Sequence, residues 1–332
     1  MLSLLLSAES ATSLSDRIAD VLGGVPFRVV ELESLDPNDA STRIDAAFLS
    51  RDITGAPVGA GPSPARAKFI DVLRRSPSLR WVHIHQAGAD ARIWPELQAR
   101  GVTVTTSQGA NAKPVALSAL GGIIALERQF ADLIDAQRRK RWEPPFGSRT
   151  PRDLAGQTAM VVGLGPVGQE IARLLGMVGM DVVGVRRSSA PDARCRHTIT
   201  YEEIDRFLPS VDWLVLACPL TTTTLGLVNG ARLALLRPTA RLVNIARGAV
   251  VDEPALIDAL AGNRIGGAYL DVFMHEPLSP DSPLWAMPGV LVSPHAASFS
   301  TGNGARVAAV FLDNLGRFQR SEPLLNDAAS LH

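Results

Sequence analysis

The chain has 332 residues, of which 46% are apolar, 20% charged and 5% aromatic, enough for one large or two medium cores and too apolar for disorder. Its 33 lysines and arginines balance 33 aspartates and glutamates, so no cationic surplus is available to displace counterions from a nucleic-acid backbone, and a general nucleic-acid binder is disfavoured. The two cysteines, Cys195 and Cys218, have neither metal-ligand nor disulfide-framework spacing, and no stretch reaches the roughly 18 apolar residues that cross a bilayer; a soluble, cytoplasmic protein without a metal site is expected.

The opening MLSLLLSAES lacks the basic start and the apolar length of a signal peptide, so Leu2–Leu6 reads as a first buried strand. Short runs rich in β-branched residues then recur between helical patterns: FRVVEL (27–32), AAFL (46–49), WVHI (81–84), VTVT (102–105), AMVVG (159–163), DVVGV (181–185), DWLVLA (212–217), RLVNIA (241–246), GGAYLDV (266–272) and VLVSPH (290–295). Strands alternating with helices imply βαβ units and parallel sheets, an α/β fold. TGAPVGAGPSP (54–64) has the composition of a surface loop. Apolar periodicity from Val115 to Ile134, ending in QRRKRW, predicts one long helix over 112–142 despite Gly121-Gly122. The Pro, Gly and Ser content of EPPFGSRTPRDLAG (143–156) marks a connection into a second sheet and places a boundary near it. No internal repeat of 20–50 residues is present.

Gly163-Leu-Gly165-Pro166-Val167-Gly168 follows a predicted strand, opens a helical stretch and precedes another strand, the setting in which G-x-G-x-x-G signals a dinucleotide site. Gly163 makes the tight turn, Gly165 lets the backbone approach the pyrophosphate, and Gly168 lets helix and strand pack closely, with the pyrophosphate at the helix N-terminus. An acid that would hold the ribose hydroxyls is expected about 20 residues on. Arg186 stands there instead, 18 residues after Gly168, followed by Arg187, Ser188 and Ser189. A guanidinium cannot accept the hydroxyl's hydrogen bond but can bind a 2′-phosphate, which argues for NADPH, with NADH still possible.

Three later strand ends carry Arg247, then Asp271 and Glu276, then His295. Ligands bind outside the carboxyl ends of a parallel sheet, so these residues can converge on one crevice. A guanidinium suits a substrate carboxylate and adjacent carbonyl, a histidine can exchange the proton that accompanies a hydride, and a carboxylate can orient the imidazole and favour its charged form.

The ordered set GLGPVG, CPLTTTTLGLVN (218–229), NIARGAVVDEPAL (244–256), LDVFMHEPL (270–278) and SPHAAS (293–298), with HQAGAD (85–90) and FLDNLGRFQRSEPLLN (311–326), resembles the D-isomer-specific 2-hydroxyacid dehydrogenases. The resemblance implies a Rossmann-type domain, residues 109–296, inserted into a flavodoxin-like substrate domain made of residues 1–108 and 297–332. It also implies that Arg247 binds the substrate's carboxylate and carbonyl, that His295 is the general acid/base and lies against the cofactor, and that Glu276 orients and charges it. Asp271 is implied at the nicotinamide side, Pro166 and Val167 against the pyrophosphate, and Cys218, Pro219, Ile245 and Ala246 along the cofactor. Backbone N–H groups of the Gln86-Ala87-Gly88 loop are implied at the substrate carboxylate, and the partner is implied to be a second copy, as a homodimer.

Leu117 departs from the Glu common at that position, and His83 and His85 replace small polar residues, reading as core or rim histidines. Arg186 agrees with the NADPH-preferring members of the family, the glyoxylate/hydroxypyruvate reductases. The expected activity is reduction of a small 2-oxoacid such as glyoxylate or hydroxypyruvate to the D-2-hydroxyacid. Phosphoglycerate and D-lactate types of the same family stay open, as does a dinucleotide-sensing protein like the C-terminal-binding corepressors; formate dehydrogenase is disfavoured because the histidine's partner is Glu276 and not Gln.

Overall fold

The computed structural model describes residues 1–36, 42–55, 63–89 and 91–331. In chain order the elements are β1 (Leu2–Leu6), α1 (Ala8–Leu22), β2 (Phe27–Glu31), β3 (Ala46–Leu49), α2 (Arg51–Thr54), α3 (Pro64–Arg75), β4 (Trp81–Ile84), α4 (Ile93–Ala99) and β5 (Thr103–Thr106). There follow α5 (Ala112–Glu127), α6 (Phe130–Arg138), β6 (Thr158–Val162), α7 (Pro166–Met177), β7 (Asp181–Val185), β8 (His197–Ile199) and α8 (Ile204–Phe207). The last are β9 (Trp213–Leu216), α9 (Gly230–Leu235), β10 (Arg241–Asn244), α10 (Glu253–Ala261), β11 (Gly267–Leu270), β12 (Val290–Val292) and α11 (Asn303–Gln319). The chain divides into two compact units, Met1–Asn111 with Ser300–His332, and Ala112–Phe299.

The first unit is built on a parallel sheet of order β2-β1-β3-β4-β5, the flavodoxin-like winding. Strand side chains alternate between faces, so Leu4 and Leu6 pack in one layer with α1 and α11, while Leu5 packs in the other with Phe69, Leu73 and Leu97. His83 is fully buried on β4, and its polar atoms are all used. Trp81 Nε1–H donates to Thr105 Oγ1 (2.8 Å), which leaves that hydroxyl to donate to His83 Nδ1 (2.8 Å). Ser107 Oγ donates to the Ile84 carbonyl (3.1 Å) and therefore accepts from His83 Nε2–H (2.9 Å). Burial pushes this imidazole down to about 3, so it is a neutral core group.

The second unit has a parallel sheet of order β12-β11-β10-β9-β6-β7-β8, the Rossmann winding with an added edge strand. The reversal falls between β6 and β9, so the turns after those two strands share the position where such sheets take a nucleotide. Met160 and Val162 point to one layer of the core, Ala159 and Val161 to the other.

Two expectations are corrected here. The predicted helix 112–142 is two helices, α5 and α6, because Gln129 adopts a left-handed backbone (φ 56°) and interrupts the run; residues 139–142 lie beyond α6. The boundary expected near 143–156 lies inside the second unit, whose first element is α5. Composition misplaced it because α5, not the Pro-rich segment, starts the unit: Gly122 packs so close to the Tyr269 ring that a Cβ would sit 2.3 Å from it. Glu127 at the α5 C-terminus, 2% exposed, forms ion pairs with Arg241 and Arg152. β8 was not expected, being three residues long with His197 first. VTVT shifts by one, to 103–106, and VLVSPH is strand only to Val292. Most of TGAPVGAGPSP, residues 56–62, lies outside the described residues.

Candidate active site

The glycine loop is a backbone crossing with no room for side chains. Gly163 has φ 94°, and a Cβ there would lie 2.6 Å from Cys218 Cα; a Cβ on Gly168 would lie 1.8 Å from the Gly163 carbonyl oxygen. The turn after β6 thus lies on the backbone after β9, where Cys218 is buried and Pro219 exposed. Gly165 caps α7 without a side-chain hydrogen bond, Gly165 and Pro166 are exposed, and Val167 is half-buried. The first N–H groups of α7 are therefore left for an anion at the positive end of the helix dipole.

The basic turn adjoins this loop. Gly163 N–H donates to the carbonyl of Val185, the last residue of β7, and Arg186 comes next, its own N–H donating to Ile199 (3.1 Å). Arg186 is half-buried, and Arg187, Ser188 and Ser189 are exposed. Sequence reasoning missed Asp192, whose buried carboxylate pairs with Arg194 (2.9 Å) and lies within the field of Arg186. Its only signal was a lone acid 24 residues after Gly168. The glycine crossing, the open helix start and the cationic turn together fit the pyrophosphate and ribose of a dinucleotide.

The carboxyl ends of β10, β11 and β12 bring the chemical residues together within this unit. After β10 come Ile245 (9% exposed) and Ala246 (5% exposed), both buried, then the half-buried Arg247, whose Nη1 donates to the Ala246 carbonyl (2.7 Å). Its backbone carbonyl accepts from Asn244 Nδ2 (3.1 Å), which holds the turn. After β11, Glu276 accepts the Phe273 N–H on Oε1 (3.1 Å) and faces His295 with Oε2. His295 Nδ1 lies 2.8 Å from that oxygen; a carboxylate only accepts, so Nδ1 carries the proton and Nε2 is the ring's other, chemically available edge. Burial opposes ionisation of Glu276, yet the His295 hydrogen bond, the Phe273 N–H and the charges of His295 and Arg247 together hold its pKa below the usual glutamate value.

His295 has a left-handed backbone, φ 52°, a conformation that costs a non-glycine residue about 1–2 kcal/mol. Asp271, 2% exposed, holds it there. Its carbonyl accepts the His295 N–H (2.8 Å), and its carboxylate accepts from Ser293 Oγ (2.6 Å), Ala296 N–H (2.8 Å) and Ala297 N–H (3.1 Å). Charge-assisted bonds of this kind contribute about 1.5–3 kcal/mol each, more than the strain they oppose. The carboxylate expected at the cofactor is thus engaged in fixing the turn that carries His295.

Ala87 and Gly88 belong to the first unit, exposed and half-buried respectively, in the turn that leaves β4. His85 is a rim residue there, hydrogen-bonded to Thr54 Oγ1 (2.6 Å). Gly248 and Glu253, both within the quoted NIARGAVVDEPAL, were not assigned a role from sequence. A Cβ on Gly248 would lie 1.9 Å from the Phe273 carbonyl, and Glu253 accepts the Met274 N–H (2.9 Å), so the two fix the turn that aims Glu276. Gly248→Ala is expected to displace that turn and lower kcat by about 100-fold, a loss on the scale of a misplacement of about 1 Å; steady-state kinetics with wild-type turnover would show that the close approach is not needed.

Residues 120–297 match the family model described as D-isomer specific 2-hydroxyacid dehydrogenase, NAD binding domain. A glyoxylate reductase of Korarchaeum cryptofilum is 32% identical over 254 residues, 76% of this chain and 76% of that protein. Glyoxylate/hydroxypyruvate reductase B of Pectobacterium atrosepticum is 30% identical over 289 residues, 84% of this chain and 90% of its own. Among solved structures, a D-isomer specific 2-hydroxyacid dehydrogenase from Xanthobacter autotrophicus Py2, in complex with NADPH and MES, is 30% identical with a TM-score of 0.75, covering 99% of this chain and 100% of that one. With a glycine crossing at the sheet's switch point and an Arg247, Glu276 and His295 set at its carboxyl edge, the chain belongs to the D-isomer specific 2-hydroxyacid dehydrogenase family, as an NAD(P)-dependent oxidoreductase.

Proposed function

We propose that the enzyme reduces small 2-oxoacids, glyoxylate and hydroxypyruvate among them, to D-2-hydroxyacids, with NADPH as its preferred dinucleotide. The observation that carries the reading is the His295 Nδ1–Glu276 pair at 2.8 Å, on the carboxyl edge of the sheet that bears the glycine loop. The names of the two reductase relatives support the substrate class, and the NADPH of the Xanthobacter complex supports the cofactor.

When bound, the dinucleotide supplies a hydride to the carbonyl carbon. Arg247 pairs with the substrate carboxylate and its neighbouring carbonyl oxygen, a fork-to-carboxylate geometry, and the Ala87-Gly88 backbone offers further donors. His295 Nε2 gives its proton to the oxygen that gains charge, and takes one back in the oxidative direction. Despite its burial, Glu276 is held below the usual glutamate pKa and so stays a carboxylate at neutral pH, able to balance positive charge on the imidazole. Asp271 acts on the nicotinamide side by holding the His295 turn. Pro166, Val167, Cys218, Pro219, Ile245 and Ala246 line the cofactor by the same reading, and Arg186, Arg187 and Ser188 take the 2′-phosphate.

A homodimer is proposed on the family resemblance. Phe130, Leu133, Ile134, Trp142 and Phe146 are exposed within one stretch of the single chain, apolar side chains that a second copy would cover.

Two substitutions test the reading. Glu276→Gln removes the carboxylate that orients the imidazole and balances its charge, and kcat is expected to fall by about 100-fold or more; a variant with wild-type kcat would remove Glu276 from the mechanism. Arg186→Asp is expected to lower the NADPH to NADH ratio of kcat/KM, measured with glyoxylate and hydroxypyruvate, by about tenfold or more. A ratio that does not fall makes the basic turn a solvated surface, and no oxidation of either dinucleotide with any 2-oxoacid overturns the reductase reading.

A further inference from the structure

The connection from β7 to β8 folds back beside the basic turn. The two strands pair with Gly184 opposite Thr198 and Val185 opposite Ile199, and the Arg186 N–H continues the ladder onto the Ile199 carbonyl (3.1 Å). Strand alternation therefore sets Arg186 on the face of the sheet that carries Gly184. That face is the one α7 covers. A Cβ on Gly184 would lie 2.6 Å from Leu164 Cδ1 and 2.7 Å from Cys195 Sγ, and both residues pack in the layer of Ile171 and Leu175. Cys195 thus ties the connection to β7 two residues before Arg186.

Asp192 closes this connection. Its N–H donates to Thr198 Oγ1 (3.0 Å), and its carbonyl accepts the Cys195 N–H (2.9 Å). Its carboxylate accepts the Arg194 N–H on Oδ1 (3.0 Å) and Arg194 Nη1 on both oxygens (2.9 Å each). Asp192 is 9% exposed, whereas Arg194 is open to solvent. Burial opposes ionisation of Asp192, but the Arg194 bonds and the charges of Arg194 and Arg186 outweigh it and hold the carboxyl below the usual aspartate range. A fixed anion therefore stands on the α7 side of the sheet, beside Arg186, with an exposed guanidinium bound to it.

A dinucleotide with a 2′-phosphate brings negative charge to Arg186, and one without it brings none there. An anion already beside Arg186 weakens that attraction, and a carboxylate that engages Arg194 keeps a second cation from turning to the phosphate. We propose that Asp192 sets the depth of the dinucleotide preference: it acts as the internal counter-ion of Arg186 and the tether of Arg194, restraining selection for NADPH and keeping NADH usable. The proposal rests on the reading above in which Arg186 takes the 2′-phosphate.

The test is the ratio of the dissociation constants of NAD⁺ and NADP⁺, measured by titration calorimetry on the wild type, Asp192→Asn and Arg194→Gln. Asparagine keeps the oxygen that accepts the Arg194 N–H and loses only the charge, so Asp192→Asn is expected to tighten NADP⁺ and raise the ratio by about threefold or more. Arg194→Gln releases the carboxylate and removes a cation, so it is expected to lower the ratio by about threefold or more. Added salt should shrink both changes, as screening requires. Damage to the loop alone would weaken NADP⁺ in both variants; shifts of opposite sign are the signature of charge. Arg194→Gln carries the test by itself should Asp192→Asn not fold. A wild type that prefers NADP⁺, with a ratio that Asp192→Asn leaves unchanged or lowers, or that Arg194→Gln leaves unchanged or raises, removes this role of Asp192 and leaves the Arg186 reading standing. A wild type that binds NADP⁺ no more tightly than NAD⁺ removes both.

Discussion

The chemistry of this enzyme depends on one buried carboxylate. Asp271 is at the end of β11, 2% exposed, and its backbone and side chain together take hydrogen bonds from Ser293, His295, Ala296 and Ala297. Those bonds hold His295 at φ 52°, a backbone state the residue would leave if released. With the turn locked, Nδ1 meets Glu276 and Nε2 is left as the edge that can exchange a proton. Strain at the histidine and burial of the aspartate are thus two sides of one device, in which stability is given up locally and recovered through charge-assisted bonds.

Around it, positions are set by backbones that pass too closely for side chains. Gly163 brings the turn after β6 onto the turn after β9, Gly168 packs the first turn of α7 onto Gly163, and Gly248 brings the turn after β10 onto the segment that carries Glu276. The Gly163 and Gly248 contacts join adjacent strand ends of one parallel sheet, so the register of the strands is transmitted directly to the site. Pre-organisation of this kind reduces the rearrangement that would otherwise accompany charge development in the reaction.

Much of this was legible in the sequence, for identifiable reasons. Leu2–Leu6 and DVVGV matched their strands residue for residue because each is a short, mainly apolar run with abrupt polar or turn-forming flanks. The glycine loop was legible because its spacing between two strands has a steric cause, and Arg247, Glu276 and His295 because they follow predicted strand ends. What sequence hid was set by tertiary contact. The break at Gln129 carries no glycine or proline signal, and the start of the second unit is dictated by Gly122 on Tyr269 and Glu127 with Arg241, pairs more than 100 residues apart. The work of Asp271 was hidden for the same reason, since its partners lie on the next strand's exit.

The central claim is that a hydride passes directly to the carbonyl carbon of a 2-oxoacid while His295 protonates the oxygen. It is tested most directly by reducing glyoxylate or hydroxypyruvate with dinucleotide deuterated at the transferring position of the nicotinamide and analysing the product by mass spectrometry and NMR. The account predicts one deuterium on the C2 carbon, with the hydroxypyruvate product of D configuration. A product whose C2 hydrogen comes from solvent, or one of L configuration, would contradict it.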